Sequence, residues 1–273
     1  MSTITSGFLS TTINGLSINK SYPCNSNNYN NKASRDVTYV VMHYTGNAKD
    51  TALNNCKYFQ GSGRSASSHF FVDDSSIYQS VELRDIAWHC GCSAGYKNAC
   101  RNTNSFGIEM CTSGNYLVSE KTQINAAYLC AYLCKMIGIT SSKVDTYVVR
   151  HYDVVKTNKK CPAQFVNDNL QWVIFKKWVK NILNTGSHEN SNNSSVTTTS
   201  ANNSAPSTQT NEFKVKVIVS SLNIRSGAGT KYNVVGSIKD KGTYTITKTS
   251  GNWGYLKSGT GWINISSNYV KRV

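Results

Sequence analysis

The sequence predicts an α/β domain, a mixed central sheet flanked by helices, followed by a small all-β barrel, and three observations carry that expectation. Apolar strand-length runs such as TYVVM and SFGIEM alternate with helix-length stretches up to residue 183, the pattern of a sheet covered by helices. Residues 184–212 then lose apolar periodicity and turn to Asn, Ser and Thr. Residues 213–273 resume with short β-type runs broken by glycine turns, among them KVKVIV, YTIT and GWINI. The expected organisation is a first domain over 1–183, a flexible linker over 184–212 too polar to fold, and a barrel over 213–273. Of the 273 residues, the larger part is long enough to bury roughly 70% of its unfolded surface.

Residues 1–36 are polar and Asn-rich, and only the part nearest Val37 is expected to be fixed. Asp36 to His43 reads as a buried strand with His43 at its end. Asp50 is placed to cap a helix running to about Gln60, with Leu53, Cys56 and Phe59 at helical spacing and Gly61 as the stop. Ser68 to Val72 and Ser76 to Val81 flank Asp73-Asp74-Ser75 as a hairpin. Ser105 to Cys111 is a strand whose alternation puts Gly107, Glu109 and Cys111 on one face. Ser119 caps a long helix ending at Gly138, Thr146 to Val149 is a strand delivering His151, and Gln164 to Leu183 is a closing helix carrying Leu170, Trp172, Val173, Phe175, Trp178 and Ile182.

No run of about 18 apolar residues is present to span a membrane, and the N-terminus has neither a basic segment nor an apolar core of the kind that directs secretion. The nine cysteines are an odd number and all precede residue 162, which argues for free thiols and a ligand rather than a disulfide framework. Cys130 and Cys134 stand at helical spacing as small apolar residues, and the C-x-C pair Cys90 and Cys92 beside His89 is too cramped for a second metal site. The net charge of +15 is concentrated towards the end of the chain, where residues 213–273 hold ten basic side chains and one acidic. That bias suits a polyanionic partner, whether nucleic acid, an anionic membrane or a wall bearing anionic polymers.

His43 ends TYVVM, His151 follows TYVV, and Cys161 lies ten positions beyond His151, so two strand ends and a loop are in a position to converge on one metal. Two imidazoles and one thiolate leave the fourth tetrahedral position open, the arrangement of catalytic zinc. Zinc there would lower the pKa of a bound water to roughly 7. Glu109 is the candidate base, because a carboxylate in an apolar strand is costly to bury unless paired or catalytic. Lys159, two residues before Cys161, is either a solvated lysine of the Lys156 to Lys160 cluster or placed to polarise a carbonyl at the open position, a contribution on the order of 3 kcal/mol.

The segments VVMHYTGN, SASSHFFVDD, IYQSVELRDIAWHCG, NSFGIEMC and VVRHYDV with KKCP, in this order, resemble the type-2 N-acetylmuramoyl-L-alanine amidases, whose fold is shared with peptidoglycan-recognition proteins. The resemblance covers about residues 30–183. It implies that His43, His151 and Cys161 are zinc ligands, that Glu109 is the general base and Lys159 the oxyanion stabiliser, and that the amide between N-acetylmuramic acid and L-alanine is cleaved. Some members carry a catalytic tyrosine just before the histidine of the hairpin motif. Here Ser68 precedes His69, so no tyrosine is carried over and His69 is read as structural, while His89 either lines the substrate groove or is a core residue supporting the site from behind.

The tail, through LNIRSGAGTKYNVVGSI and NWGYLKSGTGWI, resembles the bacterial SH3-like domain, which implies a wall-binding module. Arg225, Tyr232, Trp253, Tyr255 and Trp262 are its candidate contacts, if they are not core. Together the resemblances imply a bacteriophage endolysin of a Gram-positive host, with peptidoglycan as its partner, made in the cytoplasm without a signal peptide and acting at the wall after release. A host autolysin of the same chemistry and a non-catalytic peptidoglycan-binding protein are the alternatives. A nucleic-acid binder is disfavoured because no basic recognition helix is present.

Overall fold

A computed structural model of the chain describes residues 2–91, 99–155, 157, 159–188, 212–225, 227–230, 232, 234–258 and 260–273. The chain divides into two units between residues 196 and 197. In order, the first holds β1 (Ser2–Ile4), β2 (Thr12–Ile13), β3 (Leu16–Asn19), β4 (Tyr29–Asn30), β5 (Arg35–Val37), β6 (Tyr39–Tyr44), α1 (Ala52–Phe59), β7 (Phe70–Val72), β8 (Ile77–Gln79) and β9 (Ile86–Ala87). These are followed by β10 (Ser105–Met110), α2 (Glu120–Met136), α3 (Val144–Tyr147), β11 (Val148–Arg150), α4 (His151–Val154), α5 (Ala163–Asn167) and α6 (Asn169–Thr185).

The run expected to be a buried strand is central to the main sheet, whose order is β11-β6-β10-β7-β8-β3-β2. Strands β11, β6, β10 and β7 are parallel neighbours, whereas β7 and β8 form the expected antiparallel hairpin. Alternation along the strands sends Val40, Met42, Phe106, Ile108, Met110 and Val148 to one face. There they form the main core with Leu129 and Leu133 of α2 and Trp172, Phe175 and Val179 of α6. Tyr39, Val41 and Val149 belong to a smaller cluster on the other face, with Cys90 and Cys100. On that second face β6 and β10 run in register, His43 opposite Glu109.

Several expectations give way to the structure. Residues 1–36 are not a loose arm, because Ile4, Leu9, Ile13 and Ile18 are buried in the main core. Strands β2 and β3 are joined by Asn14-Gly15, both at positive φ, the turn chemistry that favours a tight hairpin. Thr51 rather than Asp50 caps α1, its hydroxyl accepting from the Asn54 N–H. Asp50 instead accepts from the Thr112 N–H at 2.7 Å and the Asn55 amide at 2.7 Å, tying the end of β10 to α1. The expected strand at 146–149 begins as the single turn α3 and becomes extended only at Val148.

The closing helix is two helices, interrupted at Asp168, whose extended backbone separates α5 from α6. Val173, grouped with its apolar residues in the sequence reading, is 49% exposed. The side chain of Leu170 and the residue Cys92 lie outside the described residues. Helix α6 runs past 183 to Thr185, and His188 beyond it meets Tyr128 and Trp178, with ring centroids 5.7 and 6.2 Å away. Most of the expected linker, 189–211, lies outside the described residues. Ser119 caps α2 as expected, and Gly138 closes it at φ 74°.

The second unit is all-β: β12 (Phe213–Val217), β13 (Leu222–Arg225), β14 (Val234–Ile238), β15 (Thr243–Ser250), β16 (Trp253–Leu256), β17 (Trp262–Asn264) and β18 (Val270–Arg272). Its order is β14-β13-β17-β16-β15-β12-β18, with every pairing antiparallel. Inward-facing Val215, Val217, Leu222, Ile238, Ile246, Leu256, Ile263 and Val270 make its core. Gly261 is required where it stands, because a Cβ there would lie 2.4 Å from the Arg225 carbonyl. The Arg225 guanidinium donates to the carbonyls of Thr230 and Tyr232, both at 2.9 Å, and so braces a loop. The Tyr255 and Trp262 rings pack on each other at 5.2 Å, whereas Tyr232 is 40% exposed.

Candidate metal centre

The parallel strands β11, β6 and β10 bring their carboxyl ends to one edge, the usual place for a site in an open α/β sheet. His43 stands near the end of β6. His151 follows β11 directly and opens α4, whose first turn is held by the Asp153 carboxylate accepting from the Arg150 N–H at 3.0 Å. Cys161 is fastened to the same turn, since the Tyr152 N–H donates to its carbonyl at 2.9 Å. These three side chains are buried, and one ligand atom from each lies within 4.8 Å of the others.

The Nδ1 atoms of His43 and His151 are 3.2 Å apart, and Cys161 Sγ is 3.8 Å from His43 Nδ1. A tetrahedral ion at the usual zinc bond lengths holds two nitrogens about 3.4 Å apart and a nitrogen and a sulfur about 3.6 Å apart. The donor set therefore fits a zinc-sized cation in both spacing and chemistry. The His151 ring also hydrogen-bonds the Cys90 backbone, a contact of the kind that fixes the tautomer of a metal ligand.

The electrostatics keep both imidazoles uncharged and able to donate a lone pair. Burial, then the neighbouring His151, His89 and Lys159, hold His43 well below the ordinary histidine range. Burial and then Lys159 bring His151 down to about 4. Burial, with Glu109 adding to it, pushes the Cys161 thiol up to about 12, so binding a cation there must release its proton.

Glu109 stands beside the donors, its Oε1 3.8 Å from His43 Nδ1 and its side chain 20% exposed. Its Oε2 has no hydrogen-bond partner among the described residues, which is costly for a carboxylate. Burial raises it to about 8 against the opposing pull of Lys159, with Asp50 adding to the rise. Lys159 is exposed, and its positive charge acts on His43, Glu109, His151 and Cys161 alike.

His89, expected either in the substrate groove or as a supporting core residue, is 8% exposed with both ring nitrogens engaged inside the protein. Nδ1 is 3.0 Å from His43 Nε2, and Nε2 is 3.2 Å from Ser105 Oγ. It has no free nitrogen to offer a substrate. His69 is fully buried, accepting at Nδ1 from the Gly107 N–H at 3.1 Å, with Nε2 3.2 Å from the Asp85 carbonyl, in keeping with a structural residue. Gly107, placed by the sequence on the Glu109 face but given no role there, lies so close under His89 that a Cβ would be 2.8 Å from its Cγ. A glycine inside an apolar strand was the available signal, since it marks a place where something approaches closely.

Residues 33–164 match the family model described as N-acetylmuramoyl-L-alanine amidase, and residues 220–271 match that of the bacterial SH3 domain. Among curated relatives, the N-acetylmuramoyl-L-alanine amidase CwlL of Bacillus licheniformis is 35% identical over 183 residues, 64% of this chain and 48% of the relative. The N-acetylmuramoyl-L-alanine amidase BlyA of Bacillus subtilis (strain 168) is 32% identical over 158 residues, 53% of this chain and 41% of the relative. The chain thus spans about half the length of the curated relatives it matches. Among solved structures, the PlyG catalytic domain has the same fold at a TM-score of 0.50 and 24% identity, over 61% of this chain and 94% of that one.

Proposed function

The chain carries a domain of the N-acetylmuramoyl-L-alanine amidase family followed by a bacterial SH3 domain, and from that premise we propose that it hydrolyses the amide between N-acetylmuramic acid and L-alanine in peptidoglycan. The observation that carries this reading is the convergence of His43, His151 and Cys161, buried and spaced for one tetrahedral cation. These three residues hold zinc, and when bound it supplies Lewis acidity at the open side of the site.

Glu109 is the general base in its ionised form, which the charge of Lys159 favours and a bound cation would favour further against the effect of burial. Its unpartnered Oε2 accepts a proton from the attacking water while the water oxygen bonds to the lactyl carbonyl carbon. The same carboxyl then passes the proton to the nitrogen of L-alanine as the C–N bond breaks, leaving a carboxylic acid on the muramic acid, which gives up its own proton to solvent, and a free amine on the stem peptide. Lys159, exposed yet close enough to act on every group of the site, offsets the negative charge that develops on the carbonyl oxygen. Burial of the donors excludes water from the inner side of the cluster, which strengthens each of these interactions.

The first domain, which the end of α6 and the packing of His188 extend to 188, is the catalytic part, the segment from there to 212 the linker and 213–273 the wall-binding part. Tethering by the linker converts wall binding into high local enzyme concentration. The whole acts on the Gram-positive wall as an endolysin does, and no described helix is long and apolar enough to cross a membrane. The test is product analysis with the full chain on purified walls. New N-terminal alanine without new reducing sugar is the expected result. Walls left intact in the presence of zinc would return the chain to the non-catalytic peptidoglycan binders.

A further inference from the structure

Beyond the three donors, the cluster continues inward as a chain of hydrogen bonds that no step of the reaction uses. The Ser105 hydroxyl donates to the Arg101 carbonyl at 2.6 Å, so towards His89 the Ser105 oxygen accepts, taking the Nε2–H at 3.2 Å. In an uncharged imidazole that leaves His89 Nδ1 as an acceptor, and it faces His43 Nε2 at 3.0 Å. His43 Nε2 therefore carries the proton, and His43 Nδ1 is left with a bare lone pair aimed at His151 Nδ1 and Cys161 Sγ. The order is fixed from the backbone end, because a carbonyl can only accept.

The seat of this relay is also built. His89 lies over Gly107, where a Cβ would come within 2.8 Å of its Cγ and 3.0 Å of its Nδ1. Gly107 is on the same face of β10 as Glu109, so the strand that presents the base also makes room for the ring. The His43 and His89 rings meet edge to face with centroids 5.1 Å apart, a geometry that points a ring nitrogen of one at the other.

We propose that His89, held by Ser105 and seated on Gly107, is a positioning residue that fixes the tautomer and orientation of His43 for metal binding. The inference rests on the zinc reading of His43, His151 and Cys161. It predicts that His89 controls metal affinity without touching either the ion or the substrate. Partners of this kind change affinity by roughly 10- to 100-fold when lost.

The experiment measures zinc affinity of the full chain by competition with a chromophoric chelator, with thermal unfolding of each metal-free variant as the folding control. His89→Leu, which fills similar space without an acceptor, is expected to weaken zinc binding roughly 10- to 100-fold. His89→Asn, whose Oδ1 stands where Nδ1 stood and accepts from His43, is expected to recover most of that loss. Gly107→Ala, which displaces the ring, is expected to lower affinity in the same direction, and Ser105→Ala to do so more weakly.

Zinc binding by His89→Leu within threefold of the parent, or equal losses in His89→Leu and His89→Asn, would overturn the proposal. If His89→Leu does not fold, Gly107→Ala and Ser105→Ala decide, and unchanged affinity in both would overturn it. Failure of the underlying reading looks different: the parent chain would then bind no stoichiometric zinc, or Cys161→Ser would bind it as tightly as the parent.

Discussion

Replacing Glu109 with glutamine separates base catalysis from metal binding and from folding. The side chain keeps its shape and loses only the capacity to take a proton. Glu109 is not among the donors that converge in the described residues, His43, His151 and Cys161, so the zinc content of Glu109→Gln should equal that of the parent. Burial of a carboxylate oxygen without a partner among the described residues is costly and raises Glu109 to about 8, so at neutral pH the metal-free variant should unfold no more easily than the parent. Turnover is another matter. Loss of a positioned general base costs about 10² to 10⁴ in rate, or about 3 to 5 kcal/mol in the barrier at 1.36 kcal/mol per decade. The assay is hydrolysis of soluble muropeptides followed by release of N-terminal alanine, alongside zinc content and thermal unfolding in chelator. Turnover within threefold of the parent would refute the assignment of the base. Loss of zinc along with turnover would show that the carboxylate belongs to the metal's own ligand set.

Cys161→Ser should lose zinc and turnover together, because it removes one of the three donors found among the described residues; elemental analysis after dialysis checks this, and restored activity at micromolar zinc would count against it. Ending the chain after His188 should spare hydrolysis of soluble muropeptides and weaken lysis of whole cells. Ending it after Leu183 should in addition lower the unfolding temperature, since that cut removes the last turn of α6 and the packing of His188 on Tyr128 and Trp178. Asp74 is half-buried, which raises its pKa, but bonds from Ser119 and Thr122 and the nearby Lys121 outweigh this and depress it overall. With the folded value below the unfolded one, its stabilisation is present above the unfolded carboxylate pKa and is lost as pH falls through the folded value. Asp74→Asn should therefore melt lower than the parent at neutral pH, with the gap closing in acid; a gap that stays constant down to pH 2 would contradict the assignment.

Much of the fold was legible because its strongest elements obey local rules. TYVVM and SFGIEM are too apolar to be anything but central strands, Ser119 and Gly138 bracket α2 with ordinary cap chemistry, and the hairpin around Asp73 and Asp74 closes where its turn residues stand. What local rules could not supply was the fate of sparse apolar residues. Ile4, Leu9, Ile13 and Ile18 are separated by polar neighbours and show no sustained period, yet each finds a place in the main core. Only the Asn14-Gly15 pair hinted at it. Asp50 and Thr51 illustrate the same point at a helix end: both are good caps, and the choice fell to Thr51 because the Asp50 carboxylate is held by Thr112 and Asn55.

By itself the sequence determined which atoms are available at the site: two imidazoles, a thiol, a carboxylate and an ammonium, at strand ends and on a loop, in a chain whose basic tail follows a polar linker. Residue chemistry and strand period settle that much, since both are properties of neighbouring positions. Only the tertiary structure decided which nitrogen of His43 faces inward, that Glu109 lies opposite it in register, and that His89 turns into the protein over Gly107. Register and tautomer depend on partners far apart along the chain, and distances of 3.0 to 3.8 Å between such partners are set by how the strands and loops pack.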